Sequence, residues 1–291
     1  MKRFLFSFPE NDSLTKSISL LSAINIGEVE LGLYPDGESH CRILENVRES
    51  EIYLVCSLNQ PNSKILALIF FCETARSLGA KKIHLISPYL CYMRQDNVFQ
   101  TGEGITAKYF AVLLSRYFDS LLTIDPHLHR IKDLNEIYKI PSKSLHATSL
   151  IANYIQSEIK NPVLIGPDSE SRQWVKEVAE LSKSPFTVLE KIRRGDRDVK
   201  VSVPHLEKYK DHTPVLIDDI ISTGKTLLET IGHLKEATMK PAICICVHGI
   251  FAEDSYQELM NSGVELVATT NTIAHISNQI DVSKLLSENL F

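Results

Sequence analysis

The chain has little of what marks several protein classes. It holds one tryptophan and four methionines, and its six cysteines are Cys41, Cys56, Cys72, Cys91, Cys244 and Cys246. None forms a Cys-x-x-Cys pair or lies near a suitably spaced histidine set, which argues against a zinc or disulfide framework. Reduced, mostly buried thiols in a cytoplasmic protein are expected instead. An excess of basic charge is also missing. Lysine and arginine total 31 against 36 acidic residues, for a net charge of -5 and a pI near 6.1. Such a balance leaves no electrostatic footprint for general nucleic-acid binding. Long apolar runs are absent, since the longest, Ile65 to Cys72, is far below membrane-spanning length. The opening MKRFLFSFPENDS has a basic tip, but its apolar run stops at Pro9 and Glu10, so it reads as a first strand rather than a signal peptide.

What remains is an ordinary soluble composition of 44% hydrophobic and 23% charged residues over 291 positions, enough for two domains or one large α/β unit. Strand-like runs recur along it: RFLFSF, VELGLY, CRIL, IYLVCS, KIHLIS and SLLTID, then PVLIG, FTVLEK, VKVSV, PVLIDD, AICICVHG and VELVATT. Helix-length stretches separate several of them, at Ser63 to Leu78, Ile105 to Tyr117, Leu150 to Ile159, Arg172 to Leu181 and Thr226 to Glu236. This alternation predicts mainly parallel sheets flanked by helices in both halves. The segment 137–149 is the expected junction, giving domains 1–141 and 142–280. RRGDRDVKVSVPHLEKYKDH packs charge between two strands and reads as a long exposed excursion, a common place for function.

The chemistry concentrates in TPVLIDDIISTGKTLLET, 213 to 230. Apolar Val215-Leu216-Ile217 read as a buried strand reaching the carboxyl edge of a sheet, where α/β proteins bind ligands. The adjacent carboxylates of Asp218 and Asp219 repel each other, so their pairing favours a role with cations or sugar hydroxyls. Gly224-Lys225-Thr226 imitates the end of a Walker A loop, but that motif needs a glycine at 219, which is aspartate. A plainer alternative is a helix capped by Ser222 or Thr223, which accounts for the hydroxyls and not for the acids. Backbone N–H groups at a helix start, with the hydroxyls of Ser222, Thr223 and Thr226, can surround a phosphate dianion.

This stretch resembles the phosphoribosyl-diphosphate-binding motif of the phosphoribosyltransferase superfamily, with Lys225 where a small residue is common. Other segments narrow the resemblance. LYPDGESH, 33 to 40, is similar to the adenine-binding loop of the ribose-phosphate diphosphokinases, with Tyr34, Asp36 and Glu38 on matching positions. In SPYLCYMRQDN, Arg94 and Gln95 fall on that family's nucleotide-binding pair, with Asn97 replacing a basic residue. In TIDPHLHR, His127 matches a metal-associated histidine, while His129 has no assigned part. Asp168 matches an aspartate near metal and ribose, although Ser169-Glu170-Ser171 replace the usual small residues after it. Lys191 and Arg193 in LEKIRRGDRD match the cations of a mobile catalytic loop. The wording IDPH and DDIISTG looks closer to the archaeal-type branch.

The resemblance spans about 1 to 285 and implies two phosphoribosyltransferase-type domains, with 281–291 packing back on the first. It further implies ATP and ribose 5-phosphate as substrates, phosphoribosyl diphosphate and AMP as products, Mg2+ as cofactor, and a homo-oligomer with the ATP site at a subunit interface. Arg94, Gln95, Tyr34, Asp36 and Glu38 would serve ATP; Asp218, Asp219, Ser222, Thr223, Gly224, Lys225 and Thr226 would serve ribose 5-phosphate; His127 and Asp168 would serve the metal. The alternatives are a phosphoribosyltransferase, which leaves the first 140 residues idle, and a non-catalytic regulatory subunit related to the synthetases.

Overall fold

The computed structural model describes residues 1–167, 171–193, 199–202 and 206–291, with side chains from 190 to 206 outside the description. The chain divides into two compact units: Met1–Leu145 with Thr272–Ala274 and Val282–Phe291, and His146–Asn271 with His275–Asp281.

The first unit runs β1 (Lys2–Ser7), α1 (Asp12–Ser22), β2 (Asn25–Ile26), β3 (Val29–Leu33), β4 (Ser39–Ile43), β5 (Ser50–Val55), α2 (Ile65–Ser77), β6 (Lys82–Ser87), α3 (Thr106–Tyr117), β7 (Ser120–Ile124) and β8 (Ser142–Leu145). Six of these strands form a parallel sheet in the order β2-β1-β5-β6-β7-β8. Both faces are covered, so the strands read as nearly continuous apolar runs; Leu5, Ile52, Leu54, Ile83 and Leu85 are all fully buried. β3 and β4 stand outside the sheet as an antiparallel hairpin, with β4 packed on α2. Because β8 pairs with β7, the unit continues to Leu145, a few residues past the boundary expected at 141.

The second unit runs α4 (Thr148–Glu158), β9 (Pro162–Gly166), α5 (Arg172–Ser182), β10 (Phe186–Val188), β11 (Glu190–Arg193), β12 (Val199–Ser202), β13 (Thr213–Ile221), α6 (Lys225–Glu236), β14 (Ile243–Gly249), α7 (Ser255–Asn261), β15 (Leu266–Thr270) and β16 (Asn278–Ile280). Its parallel sheet has the order β10-β9-β13-β14-β15-β16. Position by position this repeats the first sheet, so the matching rhythm of the two halves is one topology used twice. Helices follow the 3.6-residue period: α5 buries Val175, Val178, Ala179 and Ser182, and α6 buries Leu227, Thr230, Ile231 and Leu234. The expected single strand FTVLEK is two, β10 in the sheet and β11 paired antiparallel with β12.

The final helix, α8 (Ser283–Ser287), returns to the first unit and packs on α1. There the Tyr53 hydroxyl donates to the Phe291 carbonyl at 2.6 Å. His84 stacks on both the Tyr53 and Phe291 rings, with its nitrogens 2.6 Å from Ser120 Oγ and 3.0 Å from Glu51 Oε1.

Candidate active site

In the second sheet the connections run one way from β9 to β10 and the other way from β13 through β14 and β15. The topological switch therefore lies between β9 and β13, the place where sheets of this kind bind ligands beyond their carboxyl ends. β9 ends at Gly166, and Asp168 follows it, outside the described residues.

The acid pair was expected where the chain leaves the sheet. Instead β13 continues to Ile221, with Asp218 opposite Cys246 and Ile220 opposite His248. Ile220 and Ile221 are buried, and that apolar pair extends the strand past the acids. Asp218 and Asp219 are half-buried, and the Asp219 N–H donates to Asp218 Oδ1 at 2.9 Å. Alternation along the strand sends the two carboxylates to opposite faces, which lowers their mutual repulsion.

Beyond the strand, Ser222-Thr223-Gly224 turns into α6. The capped-helix alternative fails: the N-cap is Gly224 at φ 67°, and no side chain caps the helix. Glycine is needed here for its left-handed backbone angle and not for room, since a Cβ would meet nothing closer than Leu259 Cδ1 at 3.4 Å. The helical bonds begin with Leu228 N–H to the Gly224 carbonyl at 2.9 Å. The loop carbonyls are held from behind. Ile221 O accepts from Ile250 and Phe251 N–H, and Ser222 O accepts from Ala252 N–H and Ser255 Oγ. With carbonyls tied on one side, the N–H groups of the first turn form a cradle on the other, exposed at Thr223, Lys225 and Thr226. Lys191 and Arg193 sit on β11, opposite Val201 and Val199, and their side chains fall outside the described part.

The first unit holds the remaining candidates. Tyr34, Asp36 and Glu38 form the β3–β4 turn, closed by Gly37 N–H to Tyr34 O at 2.9 Å and Glu38 N–H to Asp36 Oδ1 at 3.2 Å. The turn projects into solvent, with Leu33 71% and Tyr34 52% exposed. Arg94 is exposed and Gln95 half-buried. The Gln95 side-chain oxygen accepts from Thr106 Oγ1 at 3.0 Å, which fixes it at the start of α3.

Two features of the candidate site escaped the sequence. Asp96, third of the Arg-Gln-Asp triplet, is a buried brace that accepts from Arg130 Nη1 at 2.9 Å and from the Arg130 N–H at 3.2 Å. It ties the loop carrying Arg94 and Gln95 to the loop carrying His127. His129, unassigned by sequence, meets His127 with their Nε2 atoms 3.0 Å apart. That separation matches two adjacent ligands of an octahedral ion with bonds of about 2.1 Å. The loop is strained: Asp125 and His127 have φ of 36° and 54° on either side of Pro126, and the His127 N–H closes on Asp125 O at 2.8 Å. Backbone of this kind is concentrated at functional sites. The adjacent spacing His-x-His was the available signal.

The comparisons with known proteins agree with one another. The model of the N-terminal domain of ribose phosphate pyrophosphokinase matches residues 3–117, and the phosphoribosyl transferase domain model matches 133–280. A ribose-phosphate pyrophosphokinase of Methanothermobacter thermautotrophicus is 31% identical over 280 residues, covering 96% of both chains. One from Saccharolobus solfataricus is 31% identical over 286 residues, covering 96% of this chain and 97% of that one. The phosphoribosylpyrophosphate synthetase of Mycobacterium smegmatis shares the fold, with a TM-score of 0.86 at 23% identity over 99% of this chain and 97% of that one. With both units matched in order and nearly full-length relatives 31% identical, the chain belongs to the ribose-phosphate pyrophosphokinase family.

Proposed function

We propose that this chain transfers the β,γ-diphosphoryl group of ATP to the C1 hydroxyl of ribose 5-phosphate, giving 5-phosphoribosyl 1-diphosphate and AMP, with the residues assigned above. The observation that carries the reading is the uncapped start of α6 behind Gly224. A phosphate dianion completes that cradle, while Asp218 and Asp219 on the preceding strand accept from ribose hydroxyls.

Arg94 and Gln95 hold ATP on the first unit, Arg94 by stacking or pairing with phosphate oxygens. Tyr34, Asp36 and Glu38, on a hairpin whose tip is exposed to solvent, supply the adenine contacts to a second copy of the chain. Lys191 and Arg193 neutralise the charge that gathers on the transferring oxygens. Positioning and neutralisation carry the catalysis, since no assigned residue is a general base.

The donor chemistry fits magnesium in part. Asp218, Asp219 and Asp168 offer hard carboxylate oxygens, whereas the His127–His129 pair suits a borderline ion better and meets magnesium through its waters. When bound, the ion supplies neutralisation of the diphosphate oxygens. Thiols that are unpaired and mostly buried fit a cytoplasmic setting, and among the described residues no helix is long and apolar enough to cross a membrane.

The test is incubation of the purified protein with Mg2+, ATP and ribose 5-phosphate, with the nucleotide product resolved. AMP formed in equal amount with phosphoribosyl diphosphate is expected. ADP would overturn the diphosphoryl transfer, and absence of turnover with ribose 5-phosphate still bound would favour a non-catalytic member of the family.

A further inference from the structure

The phosphate cradle is shaped from behind by the loop between β14 and α7. That loop, with Ser255 at the start of α7, supplies the donors to the Ile221 and Ser222 carbonyls, and it is itself in an unfavourable conformation. Phe251 and Glu253 both have positive φ, 46° and 57°. Neither is a residue type that adopts this backbone easily, so contacts elsewhere must hold it.

Those contacts are aromatic. The Phe251 ring folds back over Gly249, where a Cβ would come within 2.5 Å of it. It packs against Tyr256 at 5.2 Å and His275 at 4.6 Å between ring centres, and Tyr256 meets His275 at 4.7 Å. The three rings form a closed triangle, and only His275 comes from outside the loop and helix it supports.

His275 is in turn fixed to the sheet. Its Nδ1 lies 2.8 Å from Ser277 Oγ and accepts the Ser277 N–H at 3.2 Å, while its own N–H donates to Asn278 Oδ1 at 2.9 Å. Ser277 and Asn278 are bound to Thr269 on β15, through Oγ at 2.9 Å and Nδ2 at 2.8 Å. Burial lowers the His275 pKa, which keeps the ring neutral and Nδ1 free to accept. A continuous set of contacts therefore runs from the β15–β16 turn through one imidazole to the backbone that orients the cradle.

We propose that His275 is a positioning residue for the sugar-phosphate loop: its ring wedges Phe251 and Tyr256 so that the β14–α7 loop holds the carbonyls of Ile221 and Ser222 away from the ligand. The inference rests on the reading that residues 222–226 bind the 5-phosphate. That phosphate does not react, so loosening its cradle weakens ground state and transition state alike.

The experiment is steady-state kinetics of the full chain, with ribose 5-phosphate and ATP varied separately, on His275→Ala, His275→Phe and Thr226→Val. His275→Ala is expected to raise KM for ribose 5-phosphate by about tenfold, with kcat and KM for ATP changed less than twofold. His275→Phe, which keeps a ring in the wedge, is expected to recover most of that loss and also guards against misfolding of the alanine variant. A lower melting temperature with unchanged KM for ribose 5-phosphate would overturn the inference, as would equal rises in both KM values. Thr226→Val separates the two levels. If it raises KM for ribose 5-phosphate and the His275 variants do not, the wedge is wrong while the site stands; if neither changes it, the placement of the substrate is wrong.

Discussion

Gly224→Ala tests the reading at its narrowest point. Gly224 begins α6 at φ 67°, and an alanine there keeps the same backbone at a cost of about 1–2 kcal/mol. No overlap adds to this, because the new Cβ would meet Leu259 atoms at 3.4, 3.5 and 3.8 Å, ordinary contact distances. If the backbone holds, stability falls by that amount, a shift of about 2–4 °C in melting temperature for each kcal/mol. If the backbone relaxes instead, the peptide rotates and the first N–H groups of α6 leave the cradle. Losing about 1.4 kcal/mol of binding is a tenfold rise in KM for ribose 5-phosphate. Gly232→Ala in the same helix is the control. It is exposed, a Cβ there meets nothing within 4 Å, and substitution should stabilise by about 0.5–1 kcal/mol with unchanged kinetics. Thermal melts and initial rates on both proteins decide the matter. Unaltered KM in Gly224→Ala without that loss of stability, or equal KM shifts in the two variants, would refute the assignment of the helix start to the phosphate.

Other consequences follow from particular contacts. Removing the Asp96 carboxylate leaves the Arg130 N–H without that acceptor, so Asp96→Ala should cost about 1–3 kcal/mol by urea unfolding and raise KM for ATP, with Asp96→Asn milder because an amide oxygen still accepts. Burial raises the thiol pKa of Cys56 and of Cys244 to about 12, and Cys41 alone among the six is not buried. A thiol reagent at pH 8 should therefore titrate one cysteine in the native protein and six after denaturation. The His275 imidazole has a folded pKa below its unfolded value of 6.5, so its contribution to stability is whole above that pH and declines as pH falls toward the lowered value. The difference in unfolding free energy between wild type and His275→Phe should shrink from pH 7 to pH 5; a difference that stays constant would mean the ring titrates alike in both states.

The buried strands were legible because a parallel sheet covered on both faces demands apolar runs, and IYLVCS, KIHLIS and AICICVHG have no other use. Three of the edge strands were not. β2 has two residues, β8 reads SKSL and β16 reads NQI, too short or too polar to be distinguished from loop. α1 was missed for a related reason, since DSLTKSISLLS mixes hydroxyls with its apolar stripe and buries only Leu14, Thr15 and Ile18. Within the candidate site, the acid pair and the glycine could be named from the sequence but not the arrangement behind them. Residues that act by closing a hydrogen bond, such as Asp96 on Arg130 or Ser255 on Ser222, lie 34 and 33 positions from their partners, and no local pattern encodes a partner that distant.

The repeated topology bears on the different binding elements proposed for the two units. β5 in the first sheet occupies the place that β13 holds in the second, and the segment after it, like 222–224, precedes a helix. In the second unit that place carries two carboxylates and a glycine whose backbone frees the helix start. In the first, the corresponding crevice between β1 and β5 is filled by the chain itself. The Lys64 ammonium donates to Ser57 O, Asn59 Oδ1 and Glu10 Oε2 at 2.9, 2.9 and 3.1 Å, and Ser57 Oγ donates to the carbonyl of Thr272. Its cation and donors are already matched, so a sugar phosphate entering there would have to break bonds of equal quality. On the proposed function, a nucleotide on the first unit would then be held by elements outside that crevice: the β3–β4 hairpin, the 94–96 turn braced by Asp96, and the strained histidine loop after β7. Substituting Lys64 by methionine leaves Glu10, Asn59 and the Ser57 carbonyl without their shared donor. It should lower stability by about 1–3 kcal/mol while leaving KM for ribose 5-phosphate as it was; a change in that KM without loss of stability would mean the first crevice takes part in sugar binding after all.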